Sequence, residues 1–494
     1  MPGGYMVLKS IVLPDLHDKK HLDFWDQYLL PIGLPLLLGL VLGPVLAALI
    51  GSEDWILALA MVFLMPLTIL VIRYPFAGVM IWLLVMPWFP FDDTYKYVFF
   101  VAHRVLIPLA LGITLLSRML RLKKQAPVQL GPADLAMIAF GAIGIVSVFV
   151  TGNHWKLIFT VHDKFLVPFM AYWLIRFSDS HKQSLKRLIL LMLLVGLSEC
   201  VIGLISWFAP RSLPEIWRTG LVGARVVGTL RQPGAYACLL IFFSVPLYHL
   251  AMIRKEVLIR TFLLLAFSLA MVCVFFTFTR SAWLAGMLTL LGLLCLYPKT
   301  TALLAAAVMS VMLILSTGPL ANEFAYASDR LEESREAAYE RSIQANAGKN
   351  MFYARPVFGW GFGNYDRYDW KFMERTQNMA PTAYHVRKST SHNTYLTILA
   401  EMGGVGFFLF YFPVIWWLGL TIKALPRLPK KGFWNRRLLI AMWLPIGAQV
   451  AVSQSIDMRF FVYVLTLFWI NLGLIANIVQ TSLKPGDSGG QGVT

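Results

Sequence analysis

Four arginines, Arg211, Arg218, Arg225 and Arg231, crowd the stretch from Pro210 to Gly234, and no lysine interrupts them. A guanidinium keeps its charge at any physiological pH and meets phosphate oxygens as a planar two-pronged donor, whereas an ammonium acts as a point charge. A diphosphate fits that pattern. Gly220, Gly223, Gly228 and Gly234, with Pro214 and Pro233, interrupt any long helix, leaving an irregular backbone that can aim several side chains at one point. Arg211 and Arg218 read equally well as partners of lipid headgroups or local carboxylates.

Arg280 stands in Thr277-Phe278-Thr279-Arg280-Ser281-Ala282-Trp283, between two apolar runs with almost no loop. An arginine at membrane depth is costly and tends to face a polar cavity or a partner; a snorkelling turn residue is the plain alternative. His103 with Arg104, and Asp163 with Lys164, are further ionisable pairs inside apolar runs, open to a structural or a functional reading. His392, in Ser391-His392-Asn393-Thr394-Tyr395-Leu396, falls where a long loop gives way to an apolar run. An imidazole titrating near neutrality at a water-hydrocarbon boundary suits a general base that takes a proton from a hydroxyl. His385 is the second candidate for that role. Between the arginines and the histidine lies Arg355-Pro356-Val357-Phe358-Gly359-Trp360-Gly361-Phe362-Gly363. Its glycines permit tight turns and its aromatics suit stacking on sugar rings.

These residues need a frame, and composition supplies it: 58% of the 494 residues are hydrophobic and 14% charged, against about 25% charged in soluble domains. Apolar runs of about 20 residues, each enough to cross ~30 Å of hydrocarbon, recur from Tyr28 onward. An all-α polytopic membrane protein is therefore expected. Spans are placed near 28–50, 55–72, 75–90, 98–117, 134–151, 157–175, 188–208, 234–253, 261–279, 281–297, 301–317, 394–420, 438–455 and 460–480, about fourteen in all. An even number puts both termini on one side. The clusters Arg118/Arg121/Lys123/Lys124, Arg176/Lys182/Lys186/Arg187, Arg254/Lys255/Arg260 and Lys423 through Arg437 alternate along the chain and mark that side as cytoplasmic. The net charge of +17 is then topology, and no nucleic-acid partner is expected.

In this frame the arginine-rich stretch, Arg280 and His392 share the outer face. Residues 318–391 form one long periplasmic loop of about 70 residues, a length usually kept for function. Its segment Ser328 to Gln344 reads as a capped amphipathic helix. The expected division is a cytoplasmic segment 1–27, eleven helices over 28–317, the loop 318–391, three helices over 392–480, and a disordered cytoplasmic tail 481–494. Met1 to Gln27 lacks the pattern of a cleaved signal peptide. Cys200, Cys238, Cys273 and Cys295 sit in apolar runs without metal-ligand spacing. Neither metal nor cofactor is expected, since the outer face offers no tight cluster of carboxylates and histidines; Asp366 and Asp369 are one isolated pair.

Together these segments resemble the O-antigen ligase and O-antigen polymerase-like membrane proteins. The likeness rests on Gly223-Ala224-Arg225-Val226-Val227-Gly228-Thr229, the Thr279-to-Trp283 turn, the Pro356-to-Gly363 glycine turn, and Ser391-to-Leu396 leading into Ala400-Glu401-Met402-Gly403. It covers roughly residues 200 to 475; the first half agrees only in hydropathy. The resemblance implies a C-type, membrane-embedded glycosyltransferase of the bacterial inner membrane, with an undecaprenyl-diphosphate-linked glycan as donor. It further implies an inverting, metal-independent reaction. Arg225 and Arg280 would hold the diphosphate, Arg231 would be a further clamp, His392 the base, and Asn393 and Arg355 supporting residues. Asp457, near Arg459, falls where the family often carries an acid; an ion pair fixing the turn is the alternative. A lipid A core acceptor would make a ligase and a second lipid-linked glycan a polymerase, with ligase favoured on motif likeness. The chain ends soon after its last apolar run, so the large outer C-terminal domain of some protein-glycosylating relatives is not expected, nor is attachment to protein. A lipid-linked glycan transporter or flippase is the competing class. It would be expected to show repeat symmetry and helix breaks near the midplane.

Overall fold

A computed structural model describes residues 6–7, 66–89, 99–120, 129–152, 156–178, 182–218, 225–318, 321–322, 325, 335–373 and 391–483. The expected span 28–50 and most of 55–72, the charges from Arg121 to Lys124, Gly223 and Ala224, His385, and the tail from Lys484 lie outside the described residues.

The described chain is helical apart from a two-residue antiparallel pairing of Met6–Val7 with Gln129–Leu130. In order the helices are α1 (Pro75–Val85), α2 (Phe100–Met119), α3 (Pro132–Val150), α4 (Leu157–Phe177), α5 (Lys182–Phe208), α6 (Pro233–Ile253), α7 (Val257–Phe275), α8 (Arg280–Leu296), α9 (Pro298–Ser316), α10 (Arg335–Ala354), α11 (Thr394–Ala424), α12 (436–452) and α13 (Val462–Leu483). Nine of the helices among the described residues are long and apolar enough to cross a membrane; α1 and α8 are apolar but shorter. Backbone polar groups in hydrocarbon must pair within their own segment, so apolar runs of this length become helices. The protein is a multi-pass membrane protein. α6 and α13 are buried along most of their length, whereas α9 presents Leu303, Met309, Leu313 and Ile314 outward.

Aromatic edges join the central helices: Phe169 of α4 meets Trp469 of α13 at 4.7 Å between centroids, and Phe140 of α3 and Phe410 of α11 close the cluster. Cys200, Cys238 and Cys273 are buried and Cys295 is exposed. The expected span 438–455 is interrupted. Arg436–Ala441 and Trp443–Val452 are separate helices, because Pro445 has no N–H to give and its ring crowds the preceding turn. Asn471 of α13 donates to the Met442 carbonyl at 2.7 Å, which satisfies an acceptor at the break. α10 also departs from expectation, running ten residues past Gln344. Ile343, Ala347 and Met351 are buried at helical spacing, and that stripe carries the helix through polar sequence that reads as its end.

The ionisable residues in apolar runs pair across helices, and Asp163 also meets its neighbour His162. α2 begins with a π-helical stretch, Phe100–Leu106, and α4 contains one, His162–Leu166. There Arg104 grips the Asp163 carboxylate with Nε at 2.9 Å and Nη2 at 2.6 Å. His103 lies between the Trp82 indole N–H, 3.2 Å away, and the Asp163 carbonyl, 2.9 Å away. At the opposite end Arg176, expected as a loop charge, is buried on Asp134 and also donates to the Gln129 carbonyl at 3.1 Å. It is committed to packing.

Candidate functional site

Two polar groups gather at the end of the bundle where α6, α8, α11 and α13 begin. In the first, the turn between α7 and α8 forces the buried Phe278 into left-handed backbone, φ 46°, a conformation that costs a bulky residue ~1–3 kcal/mol. Thr277 Oγ1 donates to the Val274 carbonyl at 2.7 Å and the Trp283 indole N–H donates to the Phe275 carbonyl at 2.6 Å, holding the turn shut. Arg280 is thereby set as the first, exposed residue of α8. The Val226 N–H donates to the Phe276 carbonyl at 3.0 Å, so Arg225 is delivered to this same turn.

The backbone after Arg225 is fixed by Glu199 of α5. Its carboxylate accepts the Thr229 N–H at 3.1 Å and the Thr229 hydroxyl at 2.5 Å. Gly228 sits over that contact at φ 55°, where a Cβ would collide with Tyr236 and Glu199. Arg231 follows in left-handed backbone, φ 57°, and Gln232 caps α6 by accepting the Ala235 N–H at 2.6 Å. The Arg225 Nε and, beside Arg280, the Ser281 Oγ are buried without a hydrogen-bond partner among the described residues. Unsatisfied buried donors are costly, and two of them near guanidiniums at a helix N-terminus suit an anion. Arg218 is different. It donates to the carbonyls of Leu213 and Arg211, both at 2.9 Å, and so folds its own loop.

The second group surrounds His392, which is exposed and left-handed at φ 49°. Its neighbours are pinned on both sides. The Ser391 hydroxyl accepts the Asn393 N–H at 3.1 Å, and Asn393 Oδ1 caps α11 by accepting the Leu396 N–H at 3.1 Å. Asn393 Nδ2 donates to the Gln454 carbonyl at 3.0 Å, so its place is that of a brace. Desolvation, then the positive charge of Arg341 on α10, lower the His392 pKa from 6.5, and the charge of Asp457 opposes them. Both lowering effects favour the neutral ring.

Asp457 and Arg459 do form an ion pair, and Glu401 of α11 completes it. Arg459 Nη2 meets Asp457 Oδ2 at 2.7 Å and Nη1 meets Glu401 Oε2 at 2.7 Å, with all three buried. Burial would push the Asp457 carboxyl up, but the Arg459 charge and hydrogen bonds outweigh it and hold the group below the usual range. Lys164 of α4 reaches the same place, with its ammonium 3.9 Å from the centre of the Phe460 ring.

One turn joins the two groups. Thr394 donates its N–H to the Ser453 carbonyl at 2.9 Å and its hydroxyl to the Ile456 carbonyl at 3.0 Å, while the Met458 N–H donates back to that hydroxyl at 2.9 Å. On its other side the turn packs against Gly234, where a Cβ would collide with Ile456. His392 and the Arg231-to-Gly234 segment therefore flank residues 452–458.

Two aromatics of the glycine turn, Trp360 and Phe362, are not open for stacking. Phe362 is buried edge-on to Phe165, and Trp360 packs on Tyr368 and Phe372 with Arg355 over its face at 4.1 Å. Among the described residues no three His, Cys, Asp or Glu side chains cluster as metal ligands would. Glu401, Glu199, Ser281 and Lys164 were given no individual place in the site by the sequence reading. A charge within an apolar run was the available signal for all but Ser281.

The fold is that of a multi-pass membrane protein whose candidate arginines and histidine lie at one end of the helix bundle. Residues 264–411 match the family model described as O-antigen ligase, so that stretch is similar to this family. The matched residues include Arg280, the glycine turn and His392; Arg225, Arg231 and Asp457 lie outside them. No curated protein matches the chain.

Proposed function

We propose that the protein is an inverting, metal-independent glycosyltransferase that moves a glycan from an undecaprenyl-diphosphate donor to an acceptor hydroxyl at the periplasmic face of the bacterial inner membrane. The observation that supports this reading is the 452–458 turn, which has the His392 segment on one side and the Arg231-to-Gly234 segment on the other. Arg225, Arg231 and Arg280 bind the diphosphate. His392 takes the acceptor hydroxyl proton as that oxygen attacks the anomeric carbon; the bond from this carbon to the diphosphate oxygen breaks, and the arginines stabilise the charge left there. Asn393 and Asp457 support the base, and Arg355 braces the glycine turn.

The accompanying architecture is C-type, with about fourteen spans, both termini cytoplasmic, a periplasmic loop over 318–391 between helices over 28–317 and 392–480, and cytoplasmic ends at 1–27 and 481–494. Lipid A core is the proposed acceptor, favoured by the ligase description of the matched family; a polymerase extending one lipid-linked glycan with another would use the same parts. Deleting the gene in its host and complementing with wild type, His392→Ala or Arg225→Ala tests this on a gel of envelope glycans. Core without long glycan, with lipid-linked polymer accumulating, means ligase. A single repeat in place of a ladder means polymerase. An unchanged pattern in every strain refutes both, and lipid-linked glycan trapped on the cytoplasmic side means a flippase.

A further inference from the structure

We infer that the glycine turn is a membrane-inserted element: residues 356–358 dip into the leaflet on the His392 side and present Val357 and Phe358 to lipid acyl chains. Two independent rulers give the depth. Gly403 lies nine residues into α11 from Thr394, ~13 Å at the helical rise, and Thr394 is level with the first turn of α6 through the shared 452–458 turn. On α3, Gly144 packs against Met402 six residues before the helix ends at Val150, ~9 Å below that end. Both place Gly403 below the ends of α3 and α6, on the hydrocarbon side of them.

The turn is fastened at this depth. α11 is not helical at Gly403, φ 64° and ψ −169°, and the turn fills the gap: the Gly404 and Val405 N–H groups donate to the carbonyls of Pro356 and Val357, at 2.8 and 3.2 Å. In return Trp360 and Gly361 donate to the carbonyls of Ala400 and Glu401, at 2.9 and 2.8 Å. Phe362 donates to Ser147 Oγ inside α3 at 3.1 Å. Irregular backbone at membrane depth is tolerated where protein covers it and its polar groups find partners, and these bonds supply partners for five of the turn's groups.

What remains outward is apolar: Val357 is 54% and Phe358 60% exposed, continuous with the outward Phe408 one turn further along α11. A water-facing loop tip has no reason to expose such a pair beside a lipid-facing helix flank. Arg355, the nearest charge, lies flat on Trp360 and is long enough to snorkel to the headgroups. The occupant is therefore the bilayer itself, whether or not the chain transfers glycan.

The test uses the full chain in phosphatidylethanolamine/phosphatidylglycerol vesicles. Phe358→Cys and, separately, Val357→Cys are placed in a Cys295→Ser background and labelled with an environment-sensitive fluorophore; Lys371→Cys is the aqueous reference. The expected result is strong quenching of the Phe358 and Val357 labels by lipids carrying a nitroxide on the upper acyl chain, with protection from iodide and the opposite pattern at Lys371. Iodide quenching at both turn positions would place the turn in water and overturn the inference. Quenching by neither reagent would mean that protein covers the turn, which overturns it equally.

Discussion

Arg459 and Arg225 are the same residue at the same end of the molecule, in opposite circumstances. Arg459 is walled in by two carboxylates that between them occupy each of its nitrogens. Arg225 keeps a buried Nε without a partner among the described residues, and its segment is held by a glutamate that is itself spent on Thr229. A guanidinium whose charge is matched by the fold serves the fold, whereas one that the fold positions without matching is available to a ligand. Arg104 and Arg176 belong with Arg459, each on a carboxylate of another helix.

Substitutions can break that contrast. The largest effect is expected at His392→Ala, which should lower transfer on the order of 10²–10⁴-fold while the thermal melt of the purified protein stays put. Arg225→Ala should cost roughly 10²–10³-fold in transfer, again without loss of stability, and Arg225→Lys should recover little, because a point charge cannot replace the fork. A melt that falls with either Arg225 variant would return this residue to the structural class. Arg459→Ala should do the reverse first: removing one member of a buried ion cluster costs about 3–5 kcal/mol, read as a lower unfolding temperature in detergent, with activity falling only as folded protein is lost.

Smaller effects sharpen the comparison. The proposed base acts neutral and its pKa is lowered from 6.5, so transfer should be flat near pH 7 and fall only as pH drops through the depressed value. Arg341→Ala removes a positive neighbour, lets that pKa rise, and should move the acid limb to higher pH; Asp457→Asn should move it to lower pH. A pH profile unmoved by Arg341→Ala would separate His392 from the rate. The smallest change is expected at Arg218→Ala, because its guanidinium is already occupied by two carbonyls of its own exposed loop; transfer within a few-fold of wild type would place it on the structural side.

Apolar run length made the helices legible in sequence, since hydrocarbon leaves the backbone few other options. Charges set against the expected sidedness led to the arginines, and the histidine stood out at a loop-to-helix boundary. Partnership was not legible. Glu401 and Arg459 are 58 residues apart and Arg104 and Asp163 are 59 apart, and spacing along a chain does not say which helices touch. Two aromatics of the glycine turn show the same limit: Trp360 and Phe362 look available in sequence, but Tyr368 and Phe372 pack on the first and Phe165 of α4 on the second. Asn393, next to the histidine, turned out to be a helix cap and a tether.

The tether has a mechanical meaning. Because the residues after the base are hydrogen-bonded to residues 452–458 and the arginine segment packs on the same turn at Gly234, their separation is set through one small bracket, not by how two lobes of protein come together. Inserting a single residue into that bracket would put the two halves of the chemistry out of register, with every other helix still in place.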